Sequence, residues 1–320
     1  MKHQKIRWGI LGPGAIAQQF AHDFQFVTKG ELVAVASRSK ERGEAFAKEY
    51  GIPKVYNSYE ALYADPEVDA IYVATPHNFH LEQSSAALKA GKAVLCEKPI
   101  TINPAELEEL LVVAKDTNQY LMEGMWTYFL PAIQKAQQWV DEGRIGTVHH
   151  IISDFGYPVP FDANGRMFNP DLAGGALLDM GIYTLAMNWL FLKKDPDQFH
   201  VRMSPAQTGV DEEVTMHFEY ADCSSVLTTS FRCKLPNYTH IIGEKGYISI
   251  PDFWRAKECS LYEVEERVDH FVDDRGGFGF NFETEQVCED LLAGRKESAI
   301  MPHYYSRKLQ EWMAMVAKKF

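Results

Sequence analysis

IRWGILGPGAIA, residues Ile6 to Ala17, runs from a short apolar stretch into two glycines one residue apart and an alanine three positions further on. The segment Gly12-Pro13-Gly14-Ala15-Ile16-Ala17 fits the spacing G-x-G-x-x-A, placed after a strand and at the opening of a helix. Each position has a physical purpose. Gly12 permits the tight turn. Gly14 lets a pyrophosphate approach the first helical amides, those of Ala15 and Ile16, and Ala17 lets helix and strand pack closely. A strand-to-helix turn alone would carry little weight, so the surrounding rhythm decides.

That rhythm is regular. From Ile6 to about Met125, apolar runs rich in β-formers (IRWGIL, ELVAVAS, AIYVAT, AVLCE and YLMEGM) alternate with helical stretches. Alternation of this kind predicts a parallel sheet wound with helices, a doubly wound dinucleotide-binding domain over residues 1–125. Asn103, Pro104 and Glu106 supply an N-cap, a first-turn proline and an N3 carboxylate for a helix beginning at PAELEELL, and Gly91 ends the helix before it. After FLPAIQKAQQWVDEG the pattern changes to longer runs such as VDEEVTMHFEYADCSSVLTTSFRC, which read as hairpins. A second domain over residues 126–320, of α/β class with a mostly antiparallel sheet, is expected. The closing helix, with Leu309, Trp312, Met313 and Val316 on one face, should dock on one of the two domains.

Composition narrows the partners. A net charge of −12, with basic residues scattered, makes nucleic acid an unlikely ligand. No apolar run is read as reaching the roughly 18 residues that span a bilayer, and the first residues lack a signal-peptide core, so no membrane association is expected and the cytoplasm is the expected compartment. The five cysteines are odd in number and never paired as C-x-x-C, which predicts reduced thiols rather than disulfides or zinc. His77 and His80 lack a nearby third ligand, so no metal is expected.

The candidate site gathers at the ends of the predicted strands. After the second strand stand Ser37 and Arg38, where an NAD-preferring protein usually places Asp or Glu. A guanidinium flanked by hydroxyls favours the 2′-phosphate of NADP, with NAD as the alternative. Lys40 and Arg42 are set aside because helical geometry can turn them away. Thr75 and Pro76 in ATPHNFH shape a turn beside the nicotinamide ribose, and His80 either reaches that ribose or caps the next helix. Glu97, Lys98 and Pro99 emerge at the same rim, where a proline ends the strand and a cis bond would aim Lys98. Lys98 then stabilises developing negative charge or passes a proton, and Glu97 holds that amine or the ribose.

In GGALLDMGIYTLAMNWL, Asp179 and Tyr183 lie four apart on the same face of a predicted helix, an acid and a phenol suited to proton transfer. Trp126 and Phe155 are candidates to line a substrate pocket, although aromatics at such spacing more often belong to a core.

GPGAIA, TPHNFH, EKP, GRIGTV, GGALLDMGIY and GFNFETEQV occur here in the order seen in one family. The chain resembles the glucose-fructose oxidoreductase, inositol dehydrogenase and rhizopine-catabolism (Gfo/Idh/MocA) family over essentially its whole length. It is most similar to the branch of dimeric dihydrodiol dehydrogenase and NADP-linked xylose dehydrogenase. The resemblance implies a Rossmann domain followed by an α/β domain whose large open sheet often makes dimers or tetramers. It also implies a catalytic lysine at Lys98 and Tyr183 in place of the histidine of many sugar-specific members. Tyr128 stands where that branch commonly has Arg. The expected activity is NADP-linked hydride transfer to or from a sugar, polyol or cyclic diol. Two other readings stay open: an NAD-dependent glycosidase working by internal redox, and a nucleotide-binding sensor without catalysis.

Overall fold

Six short runs of the N-terminal half form a parallel sheet: β1 (Ile6–Leu11), β2 (Gly30–Ala36), β3 (Lys54–Tyr56), β4 (Ala70–Val73), β5 (Ala93–Glu97) and β6 (Leu121–Gly124). The computed structural model describes residues 5–319. Strand order is β3-β2-β1-β4-β5-β6, so the winding reverses between β1 and β4. That reversal opens a crevice at the carboxyl ends of the strands, where ligands of such sheets bind. The connecting helices are α1 (Ala15–Asp23), α2 (Lys40–Tyr50), α3 (Tyr59–Ala64), α4 (His80–Lys89) and α5 (Pro104–Thr117).

Side chains alternate across each strand. Leu11, Ile71, Val73, Val94 and Cys96 point to one face and pack with Leu62, Leu88, Leu107 and Leu110 from α3, α4 and α5. Trp8 and Tyr72 belong to the other face, where Phe20 of α1 stacks on Tyr72 with centroids 3.8 Å apart. The predicted caps are present: Asn103 accepts the Glu106 amide at 3.0 Å, Pro104 opens α5, and Gly91 follows α4 with φ +82°.

The second sheet has eight strands: β7 (Val148–Gly156), β8 (Gln198–Pro205), β9 (Asp211–Glu219), β10 (Ser224–Ser230), β11 (Tyr238–Gly243), β12 (Tyr247–Pro251), β13 (Glu258–Glu263) and β14 (Glu266–Val272). Their order is β14-β13-β12-β11-β7-β10-β9-β8. Only β7 and β10 pair in parallel; the other neighbours are antiparallel, as the hairpin reading predicts. Helix α6 (Pro131–Asp141) precedes this sheet, and α7 (Ile182–Leu192) packs on β7 and β10. Pro170–Leu192 is in fact long and apolar enough to cross a membrane by length and composition, contrary to the expectation, but 83% of its most apolar window is buried inside the protein. It is a core segment of this sheet.

The chain divides into two compact units: residues up to Trp126 with Gly276–Arg307, and Thr127–Arg275 with the segment from Lys308. A single boundary near residue 125 does not anticipate the return of Gly276–Arg307 to the first unit. Helix α8 (Phe280–Leu292) packs there beside α1, because the buried Asp23 carboxylate accepts the amides of Phe278, Gly279 and Phe280 at 3.0, 2.6 and 3.0 Å. Helix α9 (His303–Ala317) closes the chain. Its Trp312 meets Trp189 and Phe218 edge-on at 5.5 and 5.4 Å in the second unit.

Candidate active site and cofactor cleft

At the end of β1, Gly12 has φ +91°, a backbone region that disfavours other residues, and a Cβ there would lie 2.8 Å from Thr75 Cγ2. Gly14 is different. A Cβ at Gly14 would meet nothing nearer than the Ala74 carbonyl at 4.0 Å, so its bareness leaves room in the cleft rather than serving internal packing. No side chain caps α1, which begins with Ala15 and Ile16, and its first amides therefore suit an anion. The cleft holds about 410 Å³ and is floored by Gly12, Pro13, Gly14, Ala74, Thr75 and Pro76.

Its end beside β2 is lined by Ser37, Arg38, Ser39, Arg42 and Tyr59, without a carboxylate among the lining residues. Ser39 caps α2 by accepting the Arg42 amide at 3.3 Å, so Arg42 occupies the helix's first turn and lines the cleft. The sequence reading set Arg42 aside; the position of the N-cap was the signal that would have included it. Burial raises the Tyr59 phenol above its ordinary pKa, while the Arg38 guanidinium beside it pulls the other way.

His80 is buried, with Nδ1 2.8 Å from the Pro99 carbonyl and Nε2 2.8 Å from the Thr75 carbonyl. It does not line the cleft. The ring ties together the turns after β4 and β5. Thr75 is held further by its hydroxyl, which donates to Gln83 at 2.6 Å. The Lys98–Pro99 bond is cis.

Glu97 is braced from within: Tyr72 donates to one carboxylate oxygen, and the Lys98 amide donates to the other at 3.2 Å. Two more buried carboxyls accompany it. Glu123 accepts the Ile100 amide at 3.0 Å, and burial raises its pKa. Glu283 on α8 is fully buried, neither side-chain oxygen has a hydrogen-bond partner among the described residues, and burial followed by the charge of Glu97 pushes its pKa well up. Trp126 is buried face to face on Phe280, centroids 4.5 Å apart, in the interior of the first unit.

In the second unit, Asp179 does not sit on a continuous α-helix as expected. Leu177–Gly181 form a π turn, and α7 begins only at Ile182. The wider turn goes with close packing on β10, where a Cβ at Gly181 would come within 3.2 Å of Thr229 Cγ2. Such turns are rare and concentrate at functional sites. Tyr183 follows, meeting Phe155 edge-on at 5.5 Å and Trp254 at 6.4 Å, while Phe155 stacks on Trp254 at 5.2 Å. Trp254 was missed in the sequence because nothing near it in the chain signals the site. Arg166 was missed as well; its Nη1 donates to Asp179 Oδ1 at 2.9 Å. Tyr128 is buried and donates to the Ala186 carbonyl at 2.6 Å, a structural bond.

Residues 6–125 match the oxidoreductase family with an NAD-binding Rossmann fold, and residues 133–249 match the Gfo/Idh/MocA C-terminal domain. The chain belongs to the Gfo/Idh/MocA oxidoreductase family. A trans-1,2-dihydrobenzene-1,2-diol dehydrogenase of Xenopus laevis is 36% identical over 308 residues, 92% of each chain. Among solved structures, an aldose–aldose oxidoreductase from Caulobacter crescentus superposes with a TM-score of 0.90 at 22% identity, covering 98% of this chain and 97% of its own. A 3-ketoreductase from Actinomadura kijaniata, complexed with NADP and TDP-benzene, gives 0.86 at 24% identity and covers 98% of each. As a member of this family, the chain is an oxidoreductase with a nicotinamide cofactor and a small-molecule substrate.

Proposed function

We propose that this Gfo/Idh/MocA member is an NADP(H)-dependent dehydrogenase that interconverts a CH–OH carbon and a carbonyl in a sugar, polyol or cyclic diol. What carries the reading is the adenosine end of the cleft, where Arg38 and Arg42 stand with Ser37 and Ser39 and no carboxylate lines the wall. A 2′-phosphate finds two cations there, with the Ser39 hydroxyl committed to Glu41 at 2.9 Å, whereas an NAD ribose finds no carboxylate among the lining residues. Ala15 and Ile16 hold the pyrophosphate through their amides, and Thr75 and Pro76 border the ribose. The nicotinamide, when bound, supplies the hydride acceptor or donor.

The chain's own residues manage the proton. Tyr183, in its phenolate form, takes the hydroxyl proton that leaves as the carbonyl forms and returns it in the reverse direction, while the ammonium of Lys98 favours negative charge on the substrate oxygen. Asp179 orients the substrate and the lysine. Phe155 with Trp254 offers an apolar wall against the carbon skeleton, and the homology to a diol dehydrogenase supports the same substrate class. A homo-oligomer, a dimer or tetramer, is proposed from the family resemblance alone, and the cytoplasm remains the proposed compartment. Lys98→Met tests the mechanism: NADPH binding persists while turnover falls by at least about a hundred-fold. A variant of normal activity would overturn it.

A further inference from the structure

A carboxylate stands one hydrogen bond behind the cleft wall at β2. The Ser39 hydroxyl, on that wall, donates to Glu41 Oε2 at 2.9 Å, and the same hydroxyl oxygen accepts the Arg42 amide at 3.3 Å as the N-cap of α2. A hydroxyl has one proton and two lone pairs. The proton of Ser39 is therefore engaged by Glu41, and one lone pair by the helix. Ser37, the other hydroxyl of the wall, is 4% exposed and accepts the Ser39 amide at 3.2 Å, so Ser39 is the more accessible of the two.

Glu41 itself is exposed, in the first turn of α2. Its own backbone amide, and then the Ser39 hydroxyl, hold its carboxyl below the usual range, so it is an anion at neutral pH. Lys40 pairs with Glu44 at 3.8 Å, and among the described residues no ion pair holds Glu41. An acid in a first helical turn is ordinary. Here it also takes the one proton that a phosphate on the wall would accept from Ser39.

We propose that Glu41 is a specificity-determining residue of the cofactor cleft: it competes with the 2′-phosphate for the Ser39 hydroxyl and so moderates the preference for NADP(H) over NAD(H). This rests on the reading of the Arg38 and Arg42 end of the cleft as the 2′-phosphate site. A dianionic phosphate accepts hydrogen bonds as a carboxylate does, so the two anions cannot share one hydroxyl proton. Either the phosphate takes it and Glu41 turns to water, or Glu41 keeps it and the phosphate is left to the two guanidinium groups. In both cases NADPH forgoes the gain of one charge-assisted hydrogen bond, about three- to ten-fold in its dissociation constant at an exposed site. NADH carries no phosphate there and leaves the Ser39–Glu41 bond as it is.

Fluorescence titration with NADPH and NADH tests this in the parent, Glu41→Ala, Glu41→Gln, Ser39→Gly and the Ser39→Gly/Glu41→Ala double variant. Glycine removes the hydroxyl at little cost to a helix N-cap, and melting temperature checks that each variant is folded. Glu41→Ala should bind NADPH about three- to ten-fold more tightly, with NADH moving by less than about two-fold. Glu41→Gln, which keeps a neutral and weaker acceptor, should fall between it and the parent. In the Ser39→Gly background the same removal of Glu41 should gain less than about two-fold, because no proton is left to compete for. An equal gain with and without the hydroxyl would make Glu41 a plain repelling charge and overturn the competition. A parent that prefers NADPH, with an affinity that Glu41→Ala leaves unchanged, overturns this inference and leaves the proposed cofactor standing. A parent that binds both nucleotides equally, with neither affinity changed in Arg38→Ala, removes the NADP reading and this inference with it.

Discussion

Removing the Arg38 side chain should cost NADPH affinity and leave NADH affinity nearly untouched. The guanidinium lines the adenosine end of the cleft beside Tyr59, and it is exposed, so its contact with a phosphate remains partly hydrated. A hydrogen bond to a charged group contributes about 1.5–3 kcal/mol. Exposure argues for the lower part of that range. At about 1.5–2 kcal/mol, Arg38→Ala weakens NADPH by roughly 10- to 30-fold. NADH carries no phosphate at that position, so its dissociation constant should move by less than about two-fold. Fluorescence titration of both nucleotides at low and moderate salt reads the difference. Salt should weaken the parent's hold on NADPH more than on NADH, and much of that excess should vanish in the variant. Equal weakening of both nucleotides, or no change in either, would refute the assignment of Arg38 to the 2′-phosphate.

Two further outcomes concern the scaffold behind the site. Asp23→Ala removes the acceptor of three main-chain amides at the start of α8; with water recovering the one at half-exposed Phe278, urea unfolding should show a loss of roughly 3–5 kcal/mol. A loss below about 1 kcal/mol would mean that the cap is dispensable. Glu283→Gln should change how stability depends on pH. Because burial and Glu97 raise the folded-state pKa of Glu283, the folded protein keeps that proton after the unfolded chain has released it, and stability falls as pH rises above roughly 4.5 toward the folded value. Glutamine does not titrate, so the variant's melting temperature should gain on the parent's with rising pH. Parallel melting curves from pH 5 to 8 would contradict a neutral Glu283.

The parts of this fold that were legible in the sequence are those set by local chemistry. Gly12 and Gly14 are constrained by a turn and an approaching ligand, Asn103 and Glu106 by a helix start, and both signals lie within a few residues. The three half-buried residues of β3, Lys54–Tyr56, have too little pattern to mark a strand. The π turn was hidden because one extra residue per turn leaves no trace in a segment as uniformly apolar as LLDMGIYTLAMNWL. The membership of α8 depends on Asp23, more than 250 positions away in the chain, a contact that no periodicity reports. In the candidate site, strand ends gave Ser37, Arg38, Thr75 and Lys98. Arg166 and Trp254 needed the folded loop and sheet to bring them beside Asp179 and Phe155.

The most direct test follows nicotinamide absorbance for the parent protein with NADP⁺ and with NAD⁺ against aldoses, polyols and cyclic diols, and with NADPH against dicarbonyls. The account predicts steady turnover with NADP⁺ on at least one of these classes, and a kcat/KM for NADP⁺ at least about ten-fold above that for NAD⁺. Tight nucleotide binding with no turnover on any compound would contradict it.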